Sequence, residues 1–112
     1  MKDMEKVCDA AEVPPGAMRG FMVQGRKILL ANVAGQFYAM DAVCSHMQGD
    51  LSRGKLQGTI VTCPVHGSQY DVTNGKVFRN VSWAVKTFTR KSATDLATFR
   101  TEVKEGAVWV GV

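Results

Sequence analysis

Both histidines of the chain sit close behind a cysteine, and together they use two of its three cysteines. Cys44 and His46 are spaced C-x-H in VCSHMQGDL; Cys63 and His66 are spaced C-x-x-H in TCPVHGSQYD. Thiolate and imidazole are ligands for zinc, copper and iron, including iron–sulfur centres. One histidine near a cysteine carries little information. Two matched pairs that consume every histidine argue for a metal site rather than a satisfied core. Structural zinc favours pairs of like ligands, C-x-x-C with H-x-x-x-H, whereas each pair here is mixed and C-x-H is a tight span for two ligands of one tetrahedral ion. Mixed pairs suit a binuclear iron–sulfur centre, in which one iron takes two cysteines, the other takes two histidines, and each loop serves both irons.

The elements around these pairs read as strands. Met18 to Val23, Lys27 to Val33 and Gln36 to Met40 are β-prone runs joined at Gln24-Gly25 and Ala34-Gly35. Gly58 to Thr62 is expected to be a strand that runs straight into Cys63, and Ser68 to Val72 and Lys76 to Phe78 flank an Asn74-Gly75 turn. Such short runs separated by glycine-bearing turns are hairpin signals. Thr98 to Val103 and Ala107 to Val112 form a last hairpin at Glu105-Gly106. Between them, Val81, Trp83 and Val85 alternate like a strand, while Ser92 to Asp95 has the pattern of a capped helical turn. Cys44 and His46 thus fall in one loop, Cys63 and His66 in another, and the two can close on a single site.

With 112 residues, the chain fits one all-β domain that buries a modest core. The opening MKDMEKVCDAAEV has mixed charge and no continuous apolar stretch, so no signal peptide is expected. The longest apolar run, Ile28 to Ala31, is too short to span a bilayer. Three cysteines, two beside histidines, do not form a disulfide framework, and a reducing, cytoplasmic setting fits them best. Cys8, away from the motif, is expected to be a small buried thiol. The formal charge is +4, and from Lys76 to Lys91 there are five basic residues and no acidic ones. That stretch is either a solvated basic face or a docking surface for an acidic partner. No nucleic-acid recognition motif accompanies the charge.

Cys44-Ser45-His46, sixteen intervening residues and Cys63-Pro64-Val65-His66-Gly67 resemble the Rieske motif, C-x-H followed at a distance by C-x-x-H. QFYAMDAVCSH leading into the first loop, Leu51 after it and YDVTNGKV after the second are also similar to soluble Rieske ferredoxins. The resemblance runs from about Met1 to Phe78 and resumes over the final hairpin. It implies one Rieske domain over 1–112, built of stacked antiparallel sheets with a small cluster-binding subdomain at about 42–80. It also implies one 2Fe–2S cluster held by Cys44, His46, Cys63 and His66, with both imidazoles near the surface. In the oxidised state two ferric ions, two sulfides and two thiolates carry no net charge, so reduction lowers the charge of the protein by one unit.

Respiratory relatives carry an extra cysteine in each loop, joined as a disulfide; the resemblance places Gly49 and Val65 at those positions. In the same relatives the residues matching Ser68 and Tyr70 donate hydrogen bonds to a bridging sulfide and to a ligand sulfur, which raises the potential. A chain with both donors but no disulfide is expected to have a potential between the two classes, within the roughly −150 to +300 mV span of Rieske centres. The plain reading is that Ser68 is a turn residue and Tyr70 a core aromatic. Family members often cover the cluster with a proline-bearing loop, yet no proline follows Pro64. Either the segment from Val81 to Thr94 takes over that role with Trp83 or Phe88 as a lid, or those aromatics are core.

The function implied is that of a soluble one-electron carrier between a reductase, typically a flavoprotein, and an oxygenase or other redox enzyme. The basic 76–91 region is the candidate docking face; neither nucleic acid nor membrane is expected as a partner. No catalytic set for bond chemistry accompanies the cluster. An oxygenase large subunit would need further histidines for a mononuclear iron, and none remain. The alternatives are the small Rieske-like subunit of an NADH-dependent nitrite reductase, many of which lack the full ligand set, and a structural zinc module.

Overall fold

The computed structural model describes residues 4–43, 49–65, 67–79 and 94–112. Ten strands lie within them: β1 (Glu5–Asp9), β2 (Met18–Val23), β3 (Arg26–Val33), β4 (Gln36–Asp41), β5 (Lys55–Gln57), β6 (Ile60–Thr62), β7 (Gln69–Asp71), β8 (Val77–Arg79), β9 (Thr98–Lys104) and β10 (Ala107–Gly111). All paired neighbours are antiparallel, in one sheet of order β1-β10-β9-β4-β3-β2 and a second of order β5-β6-β7-β8. The only helical pieces among the described residues are single 3₁₀ turns at Ala10–Glu12 and Leu51–Arg53. The all-β architecture of stacked antiparallel sheets expected from the sequence is therefore present.

The three X-Gly turns close their hairpins as read. Gln24, Ala34 and Glu105 have φ of 52°, 53° and 53°, and each following glycine is also positive. Two consecutive positive φ values are the requirement of a type I′ turn, whose twist matches the strands it joins.

Other boundaries differ. Gly58, read as the start of a strand, lies at the turn between β5 and β6 with φ 61°, and Lys55–Gln57 is a strand of its own. With one apolar residue among three, β5 has too little pattern to announce itself. β1 was equally silent, because only Cys8 of its five residues is buried. Asn74-Gly75 does not close a two-residue hairpin. The Asp71 carboxylate accepts from Thr73 N and Thr73 Oγ1 at 2.9 and 2.6 Å, and its carbonyl accepts from Gly75 N at 2.7 Å, which winds a longer connection between β7 and β8. The expected helical turn at Ser92–Asp95 falls partly outside the described residues. Asp95 is not in a helix; its Oδ1 accepts from Val77 N at 2.9 Å and ties the approach to β9 onto β8. Val81, Trp83, Val85 and Phe88 also lie outside the described residues.

The apolar run in β3 explains how the sheets are joined. Successive residues of a strand face opposite sides, and here both sides are buried. Leu29 and Ala31 enter a core with Met40, Ala42, Leu51, Val61, Cys63, Tyr70 and Val72, between the two sheets. Ile28 and Leu30 enter a second core with Cys8, Val13, Val23, Phe37, Ala39, Val108 and Val110. Cys8 is thus the buried thiol expected of it; burial pushes its pKa up, and the nearby Glu12 carboxylate adds to the shift.

Candidate metal centre

The second loop grows out of β6 and β7. Thr62 pairs with Gln69, and the ladder continues one step: Cys63 N–H donates to the Ser68 carbonyl at 2.8 Å. The chain must then reverse within Pro64 to Gly67. Gly67 allows this with φ 80°, and its N–H donates to the Cys63 carbonyl at 3.2 Å. This closure turns Cys63 and Ser68 inward, exposed by only 2% and 0%, and leaves Val65 outside. Tyr70 lies further along β7, fully buried in the same core as Cys63.

The first loop is pinched at its base. Val43 forms an isolated antiparallel bridge with Asp50, and Leu51 N–H donates to the Ala42 carbonyl at 2.8 Å. Asp50 then caps the turn at Leu51–Arg53 by accepting from Ser52 N at 3.0 Å and Ser52 Oγ at 2.6 Å. Its other oxygen takes Lys27 Nζ of β3 at 2.5 Å. Burial alone would raise the Asp50 carboxyl. The bonds from Lys27 and Ser52 outweigh it and hold the group below its ordinary value. This brace was missed in the sequence, although an aspartate before a short polar turn is the usual cap signal.

Gly49 is where the loops touch. A Cβ built on it would lie 2.6 Å from Val65 Cγ2 and 2.9 Å from Cys63 Sγ, closer than side chains come without displacement. Gly49 and Val65, the positions that the resemblance matches to the respiratory disulfide, therefore face each other across the two loops. Of the expected site residues, the fold brings Cys63, Ser68 and Tyr70 together on one strand pair. Cys44, His46 and His66 lie outside the described residues; Cys44 follows bridged Val43, and His66 lies between Val65 and Gly67.

Ser68 tests whether this pocket suits a cluster. Its Oγ is fully buried and has no hydrogen-bond partner among the described residues. A buried unpaired hydroxyl costs about 1–3 kcal/mol. Next to a buried cysteine, at a point where two loops converge, a donor of this kind fits an acceptor such as an inorganic sulfide. The residues present fit the group.

Comparison with known proteins agrees. The family model of the Rieske [2Fe-2S] domain matches residues 3–89. Ferredoxin CarAc of Metapseudomonas resinovorans is 33% identical over 106 residues, which cover 94% of this chain and 90% of that protein. The ferredoxin component of a naphthalene 1,2-dioxygenase system from Pseudomonas aeruginosa is 35% identical over 88 residues, covering 75% of this chain and 85% of that one. Among solved structures, a chain in the complex of reduced oxygenase and oxidized ferredoxin of carbazole 1,9a-dioxygenase superposes with a TM-score of 0.80 at 32% identity, covering 99% of this chain and 94% of its own. The carbazole dioxygenase ferredoxin of Nocardioides aromaticivorans, at 19% identity and a TM-score of 0.82, shares the fold. With its buried cysteine, its inward hydroxyl and a family match over most of its length, the chain belongs to the Rieske [2Fe-2S] domain family and its cofactor is one 2Fe–2S cluster.

Proposed function

We propose that the protein is a one-electron carrier that receives electrons from a flavoprotein reductase and hands them to an oxygenase or another redox enzyme. Cys44 and Cys63 would bind one iron, and His46 and His66 the other. When bound, the cluster supplies a reversible one-electron couple. The observation that carries the reading is the Ser68 hydroxyl, buried beside Cys63 and without a hydrogen-bond partner among the described residues. The names of the relatives, ferredoxin components of dioxygenase systems, support the same role.

The chain's own residues then act in defined ways. Cys63 lies in the core shared by both sheets, so its sulfur is shielded from water and set in place by β6. The Ser68 hydroxyl, and with it that of Tyr70, would donate toward the sulfur atoms and favour the reduced state. Asp50, Ser52 and Lys27 hold the base of the first loop to β3. We further infer a single domain over 1–112 with a cluster-binding subdomain of about 42–80, supported by the separate four-stranded sheet that runs from Lys55 to Arg79. Cytoplasmic residence is part of this reading. No helix among the described residues is long and apolar enough to cross a membrane. Docking on the basic 76–91 region is retained as a proposal, of which Lys76 to Arg79 lie among the described residues.

Electron paramagnetic resonance of the dithionite-reduced protein tests the assignment. A rhombic signal with an average g below that of all-cysteine 2Fe–2S clusters is expected, together with about two irons and two sulfides per chain. A colourless protein with stoichiometric zinc would sink it.

A further inference from the structure

We infer that the outer face of the four-stranded sheet, next to the second ligand loop, is a docking surface for an acidic face of the reductase that supplies the electron. This rests on the carrier reading and names the chemistry of the partner that the reading requires.

Strand register carries the inference. Lys55 of β5 pairs with Thr62 of β6, Thr62 with Gln69 of β7, and Gln69 with Arg79 of β8. Residues directly opposite in an antiparallel sheet share a face, so these four form one row. Gln69 Nε2 donates to Thr62 Oγ1 at 3.0 Å, which joins the middle of the row. The next row, Leu56, Val61, Tyr70 and Val77, belongs to the core between the sheets, so the first row looks outward. A bulge between β7 and β8 is what brings Arg79 opposite Gln69.

The row spans about 14 Å, three interstrand spacings, with a cation at each exposed end and neutral donors between. It lies at the edge of the sheet from which Cys63 emerges. A notch of about 230 Å³ opens at its Lys55 end, lined by Arg53, Gly54, Lys55, Thr62, Cys63 and Pro64. Arg53 is 83% exposed, and its 3.7 Å approach to Asp50 leaves most of the guanidinium facing solvent. Two cations beside a notch that lies next to the buried Cys63 suit a carboxylate side chain from the partner. Exposed Val65 and Phe78 supply apolar contact alongside. Charge complementarity of this type steers encounter and fixes register more than it adds affinity. Counting charge along the sequence had pointed only to 76–91; register adds Lys55 and the notch adds Arg53, both from a segment that looked ordinary.

The test uses the holoprotein and a flavoprotein reductase with NADH that reduces it. Lys55→Glu and Arg79→Glu should each lower the low-salt second-order rate of reduction about tenfold, and the difference should shrink as salt screens it. Lys104→Glu, the same charge change on the β9–β10 hairpin of the other sheet, should leave the rate within about twofold of the parent. Reduction by dithionite, the visible spectrum and the midpoint potential should be unchanged in all three. If Lys55→Glu and Arg79→Glu keep the parental rate and salt dependence, or if Lys104→Glu slows reduction as much as they do, the docking surface is refuted. A holoprotein that dithionite reduces but no such reductase does would instead overturn the carrier reading.

Discussion

Ser68 shows how one hydroxyl can bear on two properties in opposite directions. Without the cluster it is a buried donor lacking a partner among the described residues, so Ser68→Ala should leave the apoprotein as stable or up to about 1 kcal/mol more stable in urea unfolding. With the cluster bound, losing the donor removes a preference for the reduced state. Charge-assisted hydrogen bonds are worth about 1.5–3 kcal/mol, and for one electron 1.4 kcal/mol corresponds to about 59 mV. A midpoint potential lower by up to roughly 60–130 mV is therefore expected in redox titration. An unchanged potential would return Ser68 to the plain reading of a turn residue. The ligand types and spacing were legible at this scale because chelation is written into local sequence. That Ser68 is fully buried was not, since it follows from how the loop closes through Gly67 and the Cys63 carbonyl.

At the scale of elements, the base of the first loop depends on a carboxylate charge. Asp50 titrates below its ordinary value of 3.8. Its charged form therefore stabilises the fold at all pH values above that, and the contribution is lost as pH falls through the lowered value. Asp50→Asn should cost about 1 kcal/mol at pH 7, given partners that are partly exposed. Chemical denaturation of both proteins between pH 7 and pH 3 should show the gap narrowing toward the acid end. A gap constant with pH would mean the brace works without its charge. The hairpins at Gln24, Ala34 and Glu105 were readable because a glycine in second place marks the turn type directly. β5 was not, since its three residues are held as a strand by pairing with β6 and not by their own pattern. The docking row has the same origin, because register is a relation between strands.

For the molecule as a whole, two cores on either side of β3 divide the work. Leu51 lies in the core that includes Cys63 and Tyr70, and Leu30 in the one that includes Val108 and Val110. Leu51→Ala and Leu30→Ala should each cost about 2–5 kcal/mol in global stability. Only Leu51→Ala should also shift the midpoint potential and hasten cluster loss on dilution. Equal electrochemical effects from both would show that the two cores are not separable. The unbroken apolar run Ile28–Ala31 was visible in the sequence. Its division between two cores required the neighbours on both faces to be known.

The meeting of Gly49 with Val65 and Cys63 has an evolutionary consequence. A Cβ at position 49 would lie 3.4 Å from that of Val65, close to the roughly 3.5–4.5 Å at which two cysteines bridge. The backbone thus keeps a geometry near that of a disulfide, although neither residue can form one. A methyl group gained at position 49 must be compensated at position 65 or it presses on the sulfur of Cys63. The two sites are epistatic. A lineage leaving this glycine–valine pair for a cysteine pair meets the clash if position 49 changes first and relieves the Val65 part of it if position 65 changes first, so the order of the two steps matters.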